Sequence, residues 1–278
     1  SAISGDMSAT AGLSLNAPTS ITMTGNLTAA GAVSLTASSG INLNGDISTS
    51  SGNLTVNANS SVLALGSGAA LSSAGALSLS ASNTNSVGAL ALTSTGSTIS
   101  LDSPVVSQGA VTMTAINGLT LGNSILTATG NISLQGGSSL SLASGMNISG
   151  ANITLGGTNI IGNNGSLTLN STGNITVSNL ITSLSTTSFN ASSGVSLVGL
   201  STNGTVGLHS GTGATAITGA LSTSSNALTI TASDFSLTGS INTGTSATTI
   251  NVSNGGSLGL GFVSGFSGMN LSNAELAL

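Results

Sequence analysis

Lysine and arginine are both missing from this 278-residue chain, as are cysteine, tryptophan and tyrosine. Charged residues make up 2% of it. In an average soluble domain they make up roughly 25%, and Lys and Arg alone would number on the order of 30 at this length. Nucleic-acid affinity draws largely on Lys and Arg displacing condensed counterions. A chain without cations is therefore not a nucleic-acid binder, and docking on anionic lipid fails for the same reason. The missing cysteine excludes a disulfide scaffold, and the missing cations leave no cleavage site for trypsin-like proteases. No run approaches the ~18 continuous apolar residues of a membrane-spanning helix, so membrane insertion is not expected. Ser1-Ala2-Ile3-Ser4-Gly5 has neither a basic n-region nor an apolar h-region. A secretion signal is expected to have been removed or to lie outside this sequence, and export is an inference.

What is present is a core. Disordered chains are poor in apolar residues, whereas this one is 38% hydrophobic, with a mean hydropathy of +0.48. The apolar residues are Leu, Ile, Val and Ala in short alternating runs. A unit of the form Gly-x-apolar-Ser/Thr-apolar-polar-Ala recurs at Gly31–Ala37, Gly52–Ala58, Gly75–Ala81 and Gly109–Ala115, with Asn226–Ala232 a copy lacking the Gly. Gly130–Leu134 and Gly173–Val177 are degenerate copies. From Gly31 to Gly130 the anchors follow one another at about 20 residues with one longer gap, within the repeat range of solenoids. That gap, between Gly75 and Gly109, reads as an insertion or a misregistered coil.

Alternation at period two is the signature of strands with one buried face. Between anchors lie two further short runs, such as Ile41-Asn42-Leu43 and Asp46-Ile47-Ser48, separated by Gly, Ser and Asn turns. The expected fold is an all-β, right-handed parallel β-helix (β-solenoid) of triangular coils of about 20–23 residues, three short strands to a coil. One coil cannot bury its own Leu and Val; stacked neighbours align them into continuous columns and satisfy the strand hydrogen bonds. Roughly 13 coils at roughly 4.8 Å would make a rod on the order of 60 Å long. A single array is expected over residues 1–278, with 257–278 as a carboxy-terminal cap or subunit-contact segment. Pro18 and Pro104 fall outside the anchor strands, where Pro would break a ladder bond.

The Gly-Asn-Leu-Thr-Val-Asn-Ala unit at 52–58, the Gly-Ala-Val-Ser-Leu-Thr-Ala unit at 31–37 and their recurring rhythm resemble the passenger repeats of filamentous haemagglutinin-type adhesins and related autotransporter passengers, over most of the chain. The resemblance implies a right-handed β-helix exported across an outer membrane, with an adhesive role on a bacterial surface. Its implied partners are other copies of the chain, end to end or laterally, and glycans or proteins of host or neighbouring cells.

The titratable side chains are Asp6, Asp46, Asp102, Asp234, Glu275 and His209. Asp6, Asn26 and Asp46 each follow Gly and precede a strand at equal intervals, which predicts a structural ladder on one corner. Asp6 and Asp46 would lie two coils apart, roughly 9.6 Å by the strand spacing, near the carboxylate separation of inverting glycosidases. The preferred reading is a turn ladder in which each Asp or Asn caps its own turn; catalysis is not expected. No cofactor is expected either. Ca²⁺ is the one ion these oxygens bring into view, and they supply only part of its 6 to 8 ligands. His209 has no second His or Cys at metal spacing and no Ser-His-Asp arrangement, and reads as a surface residue.

Ser34, Thr55, Ser78, Thr112, Ser133 and Thr229 are expected to form one outward file, a hydrated uncharged face; an ice-binding array would be more regular. Phe262 and Phe266 read as a plug over the last coil or as a self-assembly contact, since solenoid ends expose unpaired edges. The function expected is an extracellular structural or adhesive fibre, not an enzyme, forming filaments or a stalk. The alternatives are a carbohydrate-binding or carbohydrate-cleaving β-helix, disfavoured by the lack of Trp and Tyr platforms, and an ice-binding solenoid.

Overall fold

The structure, a computed structural model, describes residues 2–123, 125–261 and 268–276. Apart from one helical turn, Asn273–Leu276, its regular elements are β-strands, and they stack as a parallel β-solenoid. The coils group into two compact units, 1–143 and 144–278.

The first unit has three walls. Along the first, Ala2–Ile3, Ile21–Met23, Ile41–Leu43, Val62–Leu65, Asn83–Ser86, Val105–Ser107 and Ile125–Ala128 pair in that order, all parallel, which defines seven coils. The second wall runs from Met7–Ala9 to the start of Ile132–Leu142, and the third from Leu13–Ala17 to the end of that same strand. The step between register partners varies with the turns it spans, shorter where Ile21 pairs with Ile41 and longer where Ile47 pairs with Leu71.

Alternation decides which way each side chain points. In Val33–Ala37, Val33, Leu35 and Ala37 are buried while Ser34 and Thr36 are half-buried. Because the walls are in register, one inward position becomes a column: Leu15, Leu35, Val56, Leu79, Leu101, Leu121 and Leu142 stack one above another. From Leu35 onward none is more than 3% exposed. Each such side chain contributes about 1.5–3 kcal/mol on burial, and it does so only when the adjacent coils cover it.

Two sequence expectations change here. The long gap between anchors contains no insertion. The repeat unit at Gly75 feeds the third wall, where Leu77 pairs with Ile99 one coil on. The unit at Gly109 follows that strand and lies on the second wall, where Val111 pairs with Leu90. The motif has changed wall while the coil kept its length. The Ser/Thr file divides for the same reason. Ser34, Thr55 and Ser78 are successive partners on the third wall, Thr112 and Ser133 are partners on the second, and Thr229 lies in the other unit. The file on the third wall continues instead through Ser100, Thr120 and Ser141.

In the second unit, strands run on through the corners between residues 153 and 202 and are short again from Val206. Ile153–Ser171 is a single 19-residue strand that passes two corners, with register shifts where it bends. One wall comprises Met146–Gly150, the end of Ile153–Ser171, the end of Asn174–Ala191, then Val206–His209, Leu228–Ala232 and Thr248–Val252. Phe189, fully buried, sits in this wall between Leu169 and Leu208.

Beyond it, Leu258–Leu260 pairs with Met269–Leu271 as a separate two-stranded sheet. The helical turn that follows starts with a capping box. Ser272 N–H donates to Glu275 Oε2 at 2.8 Å, and Glu275 N–H donates to Ser272 Oγ at 3.3 Å. Glu275 Oε1 accepts Leu237 N–H at 3.0 Å, so one carboxylate both starts the turn and holds it to the strand Asp234–Leu237. Phe262 and Phe266 lie outside the described residues.

Candidate functional site

Side-chain chemistry concentrates at the corners, in three arrangements. The first is the ladder read from the equal spacing of Asp6, Asn26 and Asp46. Asn26 N–H donates to Asp6 Oδ1 at 2.8 Å, Asp46 N–H to Asn26 Oδ1 at 2.9 Å, and Ala70 N–H to Asp46 Oδ1 at 2.9 Å. Asp6, Asn26 and Asp46 therefore stack, but each caps the corner of the next coil rather than its own turn. The reason is geometric: parallel coils put the next corner's N–H directly over the side-chain oxygen. The series ends at Ala70, which has no side-chain acceptor to pass on. Asn53 with Ala76 N–H, at 2.9 Å, and Asn152 with Asn174 N–H, at 2.8 Å, are copies of the same link.

The ladder has a testable electrical property. Asn26→Asp keeps the acceptor and puts three carboxylates one above another, adding two repulsive pairs at roughly 4.8 Å, each worth about 1 kcal/mol in water. The variant is expected to lose about 2 kcal/mol relative to the parent in urea unfolding at about 0.01 M NaCl. Most of that difference should disappear at about 1 M, where the Debye length is about 3 Å.

The second arrangement is internal and has no counterpart among the sequence expectations. Ser73, Ser86, Ser94, Ser107 and Ser171 occupy inward positions and are buried. Hydroxyls of this set bond corner carbonyls: Ser94 Oγ to Gly75 O at 2.7 Å, Ser107 Oγ to Gly88 O at 2.8 Å, Ser73 Oγ to Gly52 O at 2.9 Å. In Ser107-Gln108-Gly109, Ser171-Thr172-Gly173 and Thr202-Asn203-Gly204 the hydroxyl oxygen also accepts the glycine N–H two residues on, at 3.1–3.2 Å. The sequence signal is a Ser or Thr at an inward position of the alternation, two residues before Gly, a hydroxyl-capped turn.

The third is an open groove of about 430 Å³ in the second unit, lined by Asn170, Thr172, Asn190, Ser192, His209 and Thr212 among others. Asn190 and His209 are register partners on adjacent coils. An amide ladder leads up to them. Asn170 Nδ2–H donates to Asn147 Oδ1 at 3.2 Å, and Asn190 Nδ2–H donates to Asn170 Oδ1 at 2.9 Å and to Ser188 Oγ at 3.3 Å. The next rung is His209, exposed at the end of its strand, and the amide series stops there. Among the described residues neither Asn190 Oδ1 nor the His209 ring has a hydrogen-bond partner within the chain. Thr212 Oγ1 donates to Ser192 O at 3.2 Å along the groove wall.

The remaining titratable groups are dispersed. Asp102 ends the strand Ile99–Asp102, and Asp234 Oδ1 accepts Phe235 N–H at 2.9 Å. Glu275 is used in the capping box. Among the described residues no three His, Cys, Asp or Glu side chains come close enough to hold a metal ion, and no helix is long and apolar enough to cross a membrane. The Asp6 and Asp46 carboxylates each accept a backbone N–H of the coil above. The chain matches no protein-family model, no curated protein and no solved structure.

Proposed function

We propose that this chain is an extracellular structural or adhesive element of a bacterial cell surface, a fibre segment or stalk that associates with further copies of itself. The observation that carries the reading is how the coils are tied: the links between coils are backbone ladders, amide or carboxylate oxygens on backbone N–H groups, and buried hydroxyls on carbonyls. Ties of this kind need no cation and no bound ion. A parallel stack of this sort is stabilised chiefly by nearest-neighbour coil contacts, which suits a part whose role is reach and mechanical continuity. The lack of trypsin-type cleavage sites fits exposure outside the cell, and the repeat units that resemble filamentous haemagglutinin-type passengers support an adhesive setting.

The reading is tested by negative-stain microscopy of the purified chain from low to high salt, where the Debye length falls from about 30 Å to about 3 Å. Filaments or regular end-to-end and lateral assemblies are expected. Single particles at every salt and protein concentration would remove self-association.

A further inference from the structure

The groove around His209 gathers open hydrogen-bonding groups at the end of an amide ladder. In the ladder of Asp6, Asn26 and Asp46, and in the Asn152 link, one side-chain oxygen of each residue takes a backbone N–H of the next coil. Along Asn147, Asn170 and Asn190 the amides pass hydrogen bonds from one coil to the next, and both protons of Asn190 Nδ2 are committed, to Asn170 Oδ1 and Ser188 Oγ. Asn190 Oδ1 is the acceptor that the ladder would hand to its next rung. That rung is an imidazole, whose ring nitrogens also lack a partner among the described residues.

We propose that this groove binds a segment of a neutral oligosaccharide. Three features select that chemistry. The lining offers a carbonyl-type acceptor (Asn190 Oδ1), a donor and acceptor pair on one ring (His209), and hydroxyls (Thr172, Ser192, Thr212), the mixed set that sugar hydroxyls satisfy because each both donates and accepts. None of the groove's lining residues is Asp, Glu, Lys or Arg, so the lining has no carboxylate to hold a cation and, apart from the His209 imidazole, no group that can become cationic to hold an anion. The imidazole supplies the groove's one planar ring for the C–H side of a pyranose, in a chain that has no Trp or Tyr. At about 430 Å³ the volume falls in the ordinary range of small-ligand sites, about 300–1,000 Å³. The groove runs across successive coils, so a linear chain of sugars can lie along it. The proposal is independent of whether the chain assembles.

The test is saturation-transfer NMR on the full chain, which reads the sugar protons and works on single molecules and filaments alike. The probes are cellohexaose, xylohexaose, mannohexaose, maltohexaose and chitohexaose, with hexagalacturonate as the anionic comparison. The key variant is His209→Asn, which continues the amide ladder and occupies Asn190 Oδ1, so the fold is kept while the open groups are closed. A second variant, Thr212→Val, removes a hydroxyl of the groove wall. The expected result is saturable transfer to at least one neutral hexasaccharide, weakened at least fivefold by His209→Asn and at least twofold by Thr212→Val, with none to hexagalacturonate. Unchanged circular dichroism of both variants accompanies it. The proposal is overturned if no neutral probe gives saturable transfer, if transfer survives His209→Asn undiminished, or if hexagalacturonate binds as well as the neutral sugars.

Discussion

Gly45→Ala is expected to lower the unfolding free energy by about 3 kcal/mol, the upper end of ordinary overpacking, although it adds a single methyl group at a half-buried corner. A Cβ at Gly45 would stand 2.3 Å from Gly25 O and 2.5 Å from Gly25 C, and one at Gly25 would stand 2.2 Å from Gly5 C. Both obstacles are backbone atoms, so no side-chain rotation relieves them; the coils must separate locally. Separation lengthens the adjacent bonds, among them Asp46 N–H to Asn26 Oδ1 and Leu27 N–H to Asp46 O, now 2.9 and 2.8 Å. Gly207→Ala is the control. It lies inside the strand Val206–His209, has no heavy atom within 4 Å of its would-be Cβ, and does not occupy the left-handed region. There the substitution should stabilise by about 0.4–1 kcal/mol, because alanine narrows the unfolded ensemble without meeting anything in the fold. Urea midpoints of the two variants should move in opposite directions. Equal shifts would mean that coil approach at the corner does not set the cost.

Phe189→Ala should cost about 3–5 kcal/mol. Phe189 is the largest fully buried side chain among the described residues, and its register partners above and below are Leu169 and Leu208. The walls here are held by ladder hydrogen bonds at the strand spacing and cannot close around a missing ring, so the cavity term is felt nearly in full. Phe189→Leu, which makes the column uniform with its neighbours, should recover more than half of the loss. The measurement is a denaturant series with the three proteins side by side. If alanine and leucine were equally damaging, the ring itself rather than the filled column would be what matters.

Much of this architecture can be read from residue order. The alternation of Val33-Ser34-Leu35-Thr36-Ala37 predicts its inward and outward faces, because on a strand the period of two leaves no other choice. The even recurrence of Asp6, Asn26 and Asp46 predicts a stacked corner, since equal spacing in a coil is vertical alignment. What the spacing does not carry is which corner a polar side chain serves: an oxygen lying midway between two turns is assigned only when the register is known.

Three things were out of reach for related reasons. Alternation marks an inward position but not its occupant's role, so the buried hydroxyls of Ser73 and Ser107 look like interruptions of a core instead of ties across it. Repeat spacing measures distance along the chain, and the step from Gly75 to Gly109 is one full coil plus a fraction that ends on a different wall. The groove needs Asn170, Asn190 and His209 to be placed side by side, and their separations along the chain are unequal because the corners differ in length. A single histidine with no partner motif carries no sequence signal of its own.

The relocation of the Gly-x-apolar unit from the third wall to the second means that these two walls accept the same heptapeptide: a segment shaped for one plane fits the other. Growth and loss by recombination then need not conserve whole turns at matching phase. A crossover that joins different planes yields a viable chain as long as the remaining turn residues bring the total circumference back to about 21 residues. Such a molecule can change its length in sub-turn increments, and the lateral position of any grafted loop can be rotated around the axis without rebuilding the interior.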